Sequence, residues 1–392
     1  MQSLSSYDLF HIIKELQVLV GGKVEKIFQQ DNKEARLELK RNKSSQQQVK
    51  TIDDFLFNIH VTGKGKHFLY LSLPKMACLS SFKPTFPEVP PHFCSALRRK
   101  LGGARITAIR QHNFERILLI DFTTKNGKST LVIELFSSGN MILIDEENKI
   151  LSVLHNKIYS DERKLLPAKQ FVFPPAQENT LELDEEKFKK IINNSEKDSI
   201  IKAIAIDLSL GGTYAQELTT RAKIKENTPI KELKEKEIKS LYSALQTLQT
   251  EERKPCLFGK EKKNVSPIKL ESTECETKEK TFNELLADIV LEDLERAEKE
   301  TFAKDQTKAL SKFDKILKKQ SQLVKGLEKS EKENQEKGEL IYTHYAKIEL
   351  LLSEINKMRK TKSWKEIKEE TKKIPFIKNI DEHKGTITLN LE

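Results

Sequence analysis

Apolar residues recur every three or four positions between residues 5 and 20, at Leu9, Ile12, Ile13, Leu16 and Val20. That spacing predicts an amphipathic helix, opened by Ser5 or Ser6 and closed by Gly21-Gly22. The period then shortens to two. KVEKIFQQ, EARLELKR, DFLFNIHVT and HFLYLSL alternate between polar or glycine-bearing turns, which predicts an antiparallel sheet. A proline-rich loop, FKPTFPEVPPHF (82–93), leads into a basic helix, CSALRRKLGG (94–103). Further strands are predicted in ARITAIRQHN, ERILLIDFTT, KSTLVIELFSSGNMILIDEENKILSVL and KQFVFPP, with hairpin turns at Asn126-Gly127 and Ser138-Gly139-Asn140. One entrance is unusual: the charged pair Glu115-Arg116 stands at the lip of the apolar run Ile117–Ile120.

From about residue 180 the pattern is helical, and IDLSLGGTYAQELTTRAKI (206–224) reads as a helix, a Gly-Gly turn and a second helix. PCLFG and SPIKLES, within 255–272, are short strand-like pieces. Residues 281–360 lack proline and are dense in Lys, Glu and Leu. Leu310, Phe313, Leu317, Gln320, Val324 and Leu327 step by three and four, as do Ile341, Tyr345, Ile348, Leu352 and Ile355. Between them EKSEKENQEKGE (328–339) has no apolar residue. Two such helices split by a polar break predict an antiparallel coiled-coil arm with its tip near Gly338. One long helix forming an intermolecular coiled coil, and hence a dimer, is the alternative. After Trp364 a short helix gives way to GTITLNL (385–391), a strand expected to pair with 255–272 at the base of the arm.

Composition adds a partner class. Of the 392 residues 37% are apolar and 33% charged, which suits a globular part joined to long solvated helices. The net charge of +10 favours polyanions, either nucleic acid or an anionic membrane surface. Cys78, Cys94, Cys256 and Cys275 form no C-x-x-C, so neither a zinc site nor a redox pair is predicted. The start, MQSLSSYDLFHIIKELQVLVGG, lacks a basic region and a clean apolar run, and no stretch reaches the roughly 20 apolar residues of a membrane span. A cytoplasmic protein without a membrane partner is expected.

The eight histidines show no ligand spacing, and VTGKGKHF lacks the G-K-[ST] ending of a phosphate loop. Three features remain. Arg98-Arg99-Lys100 are candidate phosphate contacts, against an ordinary exposed helix face. Gly211-Gly212 could present free N–H groups to phosphate, or simply cap one helix before the next. Asp8 complements a helix dipole, and Glu115-Arg116 alone would pass for a surface ion pair of little energetic weight.

The ordered series SSYDLFHIIKEL…GGKVEKIFQQ, PPHFCSALRRKLGGARITAIRQHNFERILLIDF, LVIELFSSGNMILID, LPAKQFVFPP and LGGTYAQELTTRAKI resembles the NFACT family, also called NEMF or RqcH and once labelled fibronectin-binding protein A. The resemblance covers nearly the whole chain, and the lysine-rich, compact form is similar to archaeal members. It implies an α+β fold. Residues 1–177 would form a domain similar to the β-sandwich of formamidopyrimidine-DNA glycosylases, and residues 178–250 a helix–hairpin–helix-type domain. Residues 251–280 would be strands and linker at the base of the arm, 281–361 the coiled-coil middle domain, and 362–392 a return helix and strand. A C-terminal RNA-binding domain usually follows in this family; here it is expected to be removed or naturally absent.

The resemblance also implies a role: binding large ribosomal subunits stalled with peptidyl-tRNA, recruiting tRNA (alanyl-tRNA is one candidate) and, in many members, supporting template-free tailing of the nascent chain. The ribosome would make the peptide bonds, so a tRNA-positioning factor rather than an enzyme is expected, without cofactor or metal. The family's functional residues are an Asp in the first helix and an Asp-Arg pair in the sheet. Asp8 and Arg116 match; Glu115 stands where the family has Asp. The alternative is a nucleic-acid-binding protein of glycosylase-like fold acting on DNA or RNA outside the ribosome. A DNA-repair glycosylase would need an N-terminal proline amine and a neighbouring Glu, where this chain has Met1-Gln2-Ser3. A secreted adhesin fits poorly with the sparse cysteines, and a purely structural coiled-coil protein leaves the N-terminal motifs unexplained.

Overall fold

The computed structural model describes residues 2–30, 53–125, 127–175, 178–259, 263–381 and 384–391. The expected strand EARLELKR and the Asn126 half of one expected turn lie outside them. The chain divides into two compact units, Met1–Ala297 and Glu298–Glu392.

In the first unit, α1 (Ser6–Leu16) forms where the periodicity placed it, followed by a 3₁₀ turn at Gln17–Leu19. Its apolar stripe of Leu9, Ile12, Ile13 and Leu16 is buried in the main core. Next come β1 (Lys23–Gln30), β2 (Asp53–Val61), β3 (Gly65–Leu73), β4 (Met76–Ser80), the basic helix α2 (His92–Leu101), β5 (Arg105–Gln111), β6 (Ile117–Thr124), β7 (Gly127–Glu134), β8 (Asn140–Asp145) and β9 (Ile150–Val153). The nine strands hydrogen-bond in the order β4-β3-β2-β1-β5-β6-β7-β8-β9, each neighbour antiparallel. The large antiparallel sheet with helices is thus present, and its nine strands form one continuous hydrogen-bonded ladder. The seam is narrow: β1 and β5 share a single pair, Lys23 with Arg105. Strands from both sides of that seam supply one core.

β6 explains the apolar run behind Arg116. Leu118, Ile120 and Phe122 face the main core, whereas Ile117 and Leu119 face a second cluster with Val132, Ile142 and Phe171. A strand covered on both faces has no reason to alternate. Its first polar outward position, Asp121, meets Arg110 at 3.0 Å.

After a two-residue hairpin, β10 (Lys157–Ile158) with β11 (Lys164–Leu165), the chain becomes helical. The helices are α3 (Glu185–Asn193), α4 (Ile200–Ile206), α5 (Gly211–Arg221) and α6 (Glu235–Thr250). Their core includes Phe188, Ile204, Tyr214, Leu218 and Leu245, and it takes in Tyr7 of α1 and Phe114 of the β5–β6 turn. A three-stranded sheet follows, with β12 (Cys256–Phe258) between β13 (Asn264–Ser266) and β14 (Cys275–Thr277). Helix α7 (Phe282–Thr343) starts in the main core through Phe282, Leu285, Leu286, Ile289 and Val290.

Two expectations for the second unit are corrected. The polar stretch 328–339 makes no tip: α7 continues through it and breaks only at His344, before α8 (Tyr345–Arg359). Lys, Glu and Gln are strong helix formers, and one glycine costs a helix only about 1 kcal/mol. Local pairs such as Lys329–Glu333 (3.8 Å) and Gln335–Glu339 (3.3 Å) add support. Nor does the last strand pair with 255–272. It is β16 (Thr386–Leu389), which pairs with an unforeseen strand, β15 (Ile377–Asp381). Closing so short a loop costs little entropy. This hairpin and α9 (Trp364–Thr371) share a small core in which Ile355, Ile367 and Ile380 are buried.

Candidate functional site

Five of the residues singled out from sequence meet in one pocket of about 450 Å³, namely Asp8, Glu115, Arg116, Gly211 and Gly212. Two helix N-termini converge there. Gly211 stands at the start of α5 with φ +78°, and a Cβ on it would approach the Ser5 Cβ to 3.2 Å. Glycine therefore permits both the left-handed entry and the close approach of α5 to the start of α1. The N-cap residue of α5, Leu210, makes no side-chain cap hydrogen bond among the described residues, and the helix start with the positive end of its dipole lines the pocket.

Asp8 is only 3% exposed. One carboxylate oxygen accepts from the Ser5 N–H (2.9 Å) and the Ser5 hydroxyl (2.8 Å). The Ser5 hydroxyl in turn accepts from the Asp8 N–H at 3.1 Å, completing a reciprocal capping box. The other oxygen accepts from the Tyr214 hydroxyl at 2.5 Å. Burial pushes the Asp8 carboxyl up, opposed by the hydrogen bonds from Tyr214 and Ser5 and by the charge of Arg116. Burial also pushes the Tyr214 phenol far up, so it remains a donor. Asp8 thus ties α1 to α5 as well as lining the pocket.

Arg116 is held by the sheet. Its carbonyl accepts from the Leu135 N–H at 2.8 Å, and the His112 N–H donates to the Ile117 carbonyl at 3.0 Å across the β5–β6 turn. The side chain crosses to the N-terminal segment. Nη2 donates to the Ser3 hydroxyl (2.7 Å) and the Pro74 carbonyl (3.3 Å), while Nε has no partner among the described residues. No ion pair within 4 Å neutralises the guanidinium among those residues. Burial lowers its pKa and the Asp8 carboxylate works against that shift, leaving a cation. Glu115 lines the same pocket; its carbonyl accepts from Gln111 Nε2 at 2.8 Å.

A half-buried guanidinium beside an open helix N-terminus suits an anion or the acceptor edge of a base. Arg98, Arg99 and Lys100 lie elsewhere, on the last turn of α2. Sequence reasoning missed Ser3, Ser5 as a partner of Asp8, and Tyr214. Tyr214 was inside the quoted LGGTYAQE motif, but an aromatic on an apolar helix face reads as core until its hydroxyl is seen to reach another element. No metal-ligating cluster and no helix able to cross a membrane occur among the described residues.

The folding pattern has known counterparts. The N-terminal part of the fibronectin/fibrinogen-binding protein from Streptococcus suis superposes with a TM-score of 0.53 at 23% identity, covering 74% of this chain and 97% of that one. The fibrinogen-binding protein of Staphylococcus aureus superposes with the same score at 19% identity, covering 73% and 97%. At such identities the fold alone is shared. In sequence, the archaeal Rqc2 homolog aRqcH of Methanocaldococcus jannaschii is 29% identical over 409 residues, 99% of this chain and 58% of that protein. Ribosome quality control complex subunit 2 of Saccharomyces cerevisiae is 29% identical over 165 residues, 42% of this chain and 14% of its own length. Residues 5–384 match the family described as NFACT N-terminal and middle domains, and the chain belongs to that family.

Proposed function

We propose that the chain serves ribosome quality control by binding stalled large subunits that carry peptidyl-tRNA and by recruiting tRNA, so supporting template-free C-terminal tailing. Arg116 is the tRNA contact. Its guanidinium offers a planar donor fork at the mouth of the pocket to a phosphate or base edge. Glu115 lines the same mouth, and Asp8 positions it by holding the two helix starts together. The observation that carries this reading is the convergence of Asp8, Glu115, Arg116 and Gly211-Gly212, distant in sequence, on one cavity with a guanidinium that makes no ion pair within 4 Å among the described residues. The names of the relatives from Methanocaldococcus jannaschii and Saccharomyces cerevisiae support the process. In this reading the protein positions tRNA and performs no bond chemistry, and the first 177 residues act as a glycosylase-like mount for the site.

The test is recovery of large subunits and tRNA with tagged protein from cells with stalled translation. Arg116→Ala is expected to lower tRNA recovery about tenfold, the loss of one good charged contact, with subunit recovery unchanged. Asp8→Asn keeps the shape of the capping box, and a smaller loss is expected. Asp8→Ala would remove the cap and cost about 1–2 kcal/mol of stability, so it is a poor probe of binding. Unchanged tRNA recovery with Arg116→Ala would remove the site assignment. RNA recovery without any ribosomal RNA would favour action on nucleic acid away from the ribosome.

A further inference from the structure

A second surface concentrates cations that enter no ion pair among the described residues. Lys26 Nζ, Lys83 Nζ and the Arg98 guanidinium stand 5.2, 4.3 and 5.5 Å from the centre of one ring, that of Phe28. A second ring, Phe86, stacks on Phe28 at 5.4 Å and 26°. Among the described residues none of these cations enters an ion pair. The carboxylate next in sequence, Glu25, is engaged by Asn58 (2.9 Å) and Lys66 (3.7 Å). Mutual repulsion is a standing cost, and an exposed cation–π contact returns only about 0.5–1 kcal/mol.

The arrangement is built by three separate elements. A register shift in β1 between Val24 and Lys26 interrupts the alternation, so that Val24, Ile27 and Gln29 point inward while Lys26 and half-buried Phe28 point outward. Strict alternation from Val24 would have turned Lys26 and Phe28 into the core; the bulge re-aims both. Lys83 and Phe86 come from the proline-rich loop, and Arg98 from α2. Basic residues in the last turn of a helix also complement its dipole, which by itself would explain Arg98, Arg99 and Lys100. It does not explain Lys26 or Lys83. Arg98, moreover, sends its Nε away from its own helix, to the Ile27 carbonyl of β1 at 2.6 Å.

We infer that this surface is a second RNA-binding site, taking a single-stranded stretch of RNA. Lys26, Lys83 and Arg98, with Arg99 and Lys100 exposed beside it in sequence, would meet successive phosphates, and the Phe28–Phe86 pair would take a base. Cations interleaved with aromatic rings are the chemistry of single-strand binding. The ligand class follows from the RNA partner proposed above, but none of these residues lines the Arg116 pocket. The two sites therefore fail separately.

The experiment is fluorescence anisotropy of a labelled oligouridylate of about 12 nucleotides titrated with the full chain at several salt concentrations. The double variant Lys26→Ala/Lys83→Ala is expected to bind about tenfold more weakly and to lower the salt slope by about 1.4, twice the single-strand value of about 0.7 per phosphate. Phe86→Leu, which keeps the apolar packing, is expected to lose about fivefold or more with the slope unchanged. Lys83→Glu, on an exposed loop, reads the charge effect without touching the core and is expected to lose at least as much as Lys83→Ala. Arg116→Ala is expected to bind this oligonucleotide as the unchanged protein does. Wild-type affinity and slope in the lysine variants would overturn the proposal, as would a loss confined to Arg116→Ala. Val89, 82% exposed on the same loop, is what a lipid surface would use. Loss of binding to phosphatidylcholine vesicles with about one fifth phosphatidylserine, with RNA binding intact, would therefore also overturn it.

Discussion

Helix α1 and the distal part of α7 carry the same apolar spacing and meet opposite fates. In α1, Leu9, Ile12 and Leu16 are fully buried and Ile13 is 8% exposed. In α7, Leu310, Phe313, Leu317, Val324 and Leu327 are between 50% and 64% exposed. A three-and-four repeat thus specifies a helix and which of its sides is apolar, but not whether anything covers that side. In α1 the cover is the sheet. In α7 the polar stretch that was expected to fold a second helix back does not turn.

The largest test of that contrast is stability. Ile12→Ala is expected to cost about 3 kcal/mol, in the usual range for a buried large-to-small change. Leu317→Ala should stay within about 0.5 kcal/mol, as an exposed position does. Urea unfolding of both measures the difference, and equal costs would mean that the distal face of α7 is covered in solution.

Next in size is a pH effect confined to α1. His11 is buried against Tyr7 and Phe10, and neither ring nitrogen has a partner among the described residues. Burial, followed by the nearby charges of Lys14 and Arg253, pushes its pKa down to about 3. The unfolded chain takes up a proton below about pH 6.5 that the folded chain refuses, so the stability is fully present above that pH and falls as the medium is acidified towards pH 3, by up to about 1.4 kcal/mol per unit. Between pH 7 and 5 the expected loss from this residue is about 2 kcal/mol. Asp8, whose pKa is raised, works in the opposite sense, so the quantity to measure is the difference between the unchanged protein and His11→Leu. A variant with the same acid-side slope would show that the imidazole is solvated.

The smallest effect sharpens the α7 side. A Cβ on Gly338 would meet nothing within 4 Å. Gly338→Ala should therefore stabilise the helix by at most about 1 kcal/mol, seen as a higher midpoint in a circular-dichroism melt. A lower midpoint would restore the turn at 328–339.

The candidate site was legible in an uneven way. Asp8, Glu115 and Arg116 were marked by their places in an ordered series of motifs, and Gly211-Gly212 by the capping chemistry of a helix start. That all five share a cavity was not written in any local pattern, because it depends on α5 packing against the start of α1. Tyr214 was invisible for the same reason: its ring belongs to the helical core and only its hydroxyl serves Asp8. The outward turn of Lys26 and Phe28 was hidden by a one-residue bulge, which a reading of KVEKIFQQ as plain alternation cannot register. Strand β15 was missed because IPFIKNI is short and follows a lysine-rich segment.

Periods of two and 3.6, proline and glycine at turns, and a serine cap at Ser5 or Ser6 belong to the sequence alone, since backbone geometry and short-range hydrogen bonds act over a few residues. They were enough for α1, eight strands of the nine-stranded sheet and the helical character of α7, but not for β4, β10 or β11, and KQFVFPP forms only the isolated bridge of Gln170 with Lys149. Tertiary structure alone decided which apolar faces are covered, that the ladder is one nine-stranded sheet, that β16 pairs with its neighbour and not with residues 255–272, and that a guanidinium, a carboxylate and two helix starts face one pocket. Those outcomes turn on competition between distant segments for the same surface, and no local pattern contains the free energy of the alternatives.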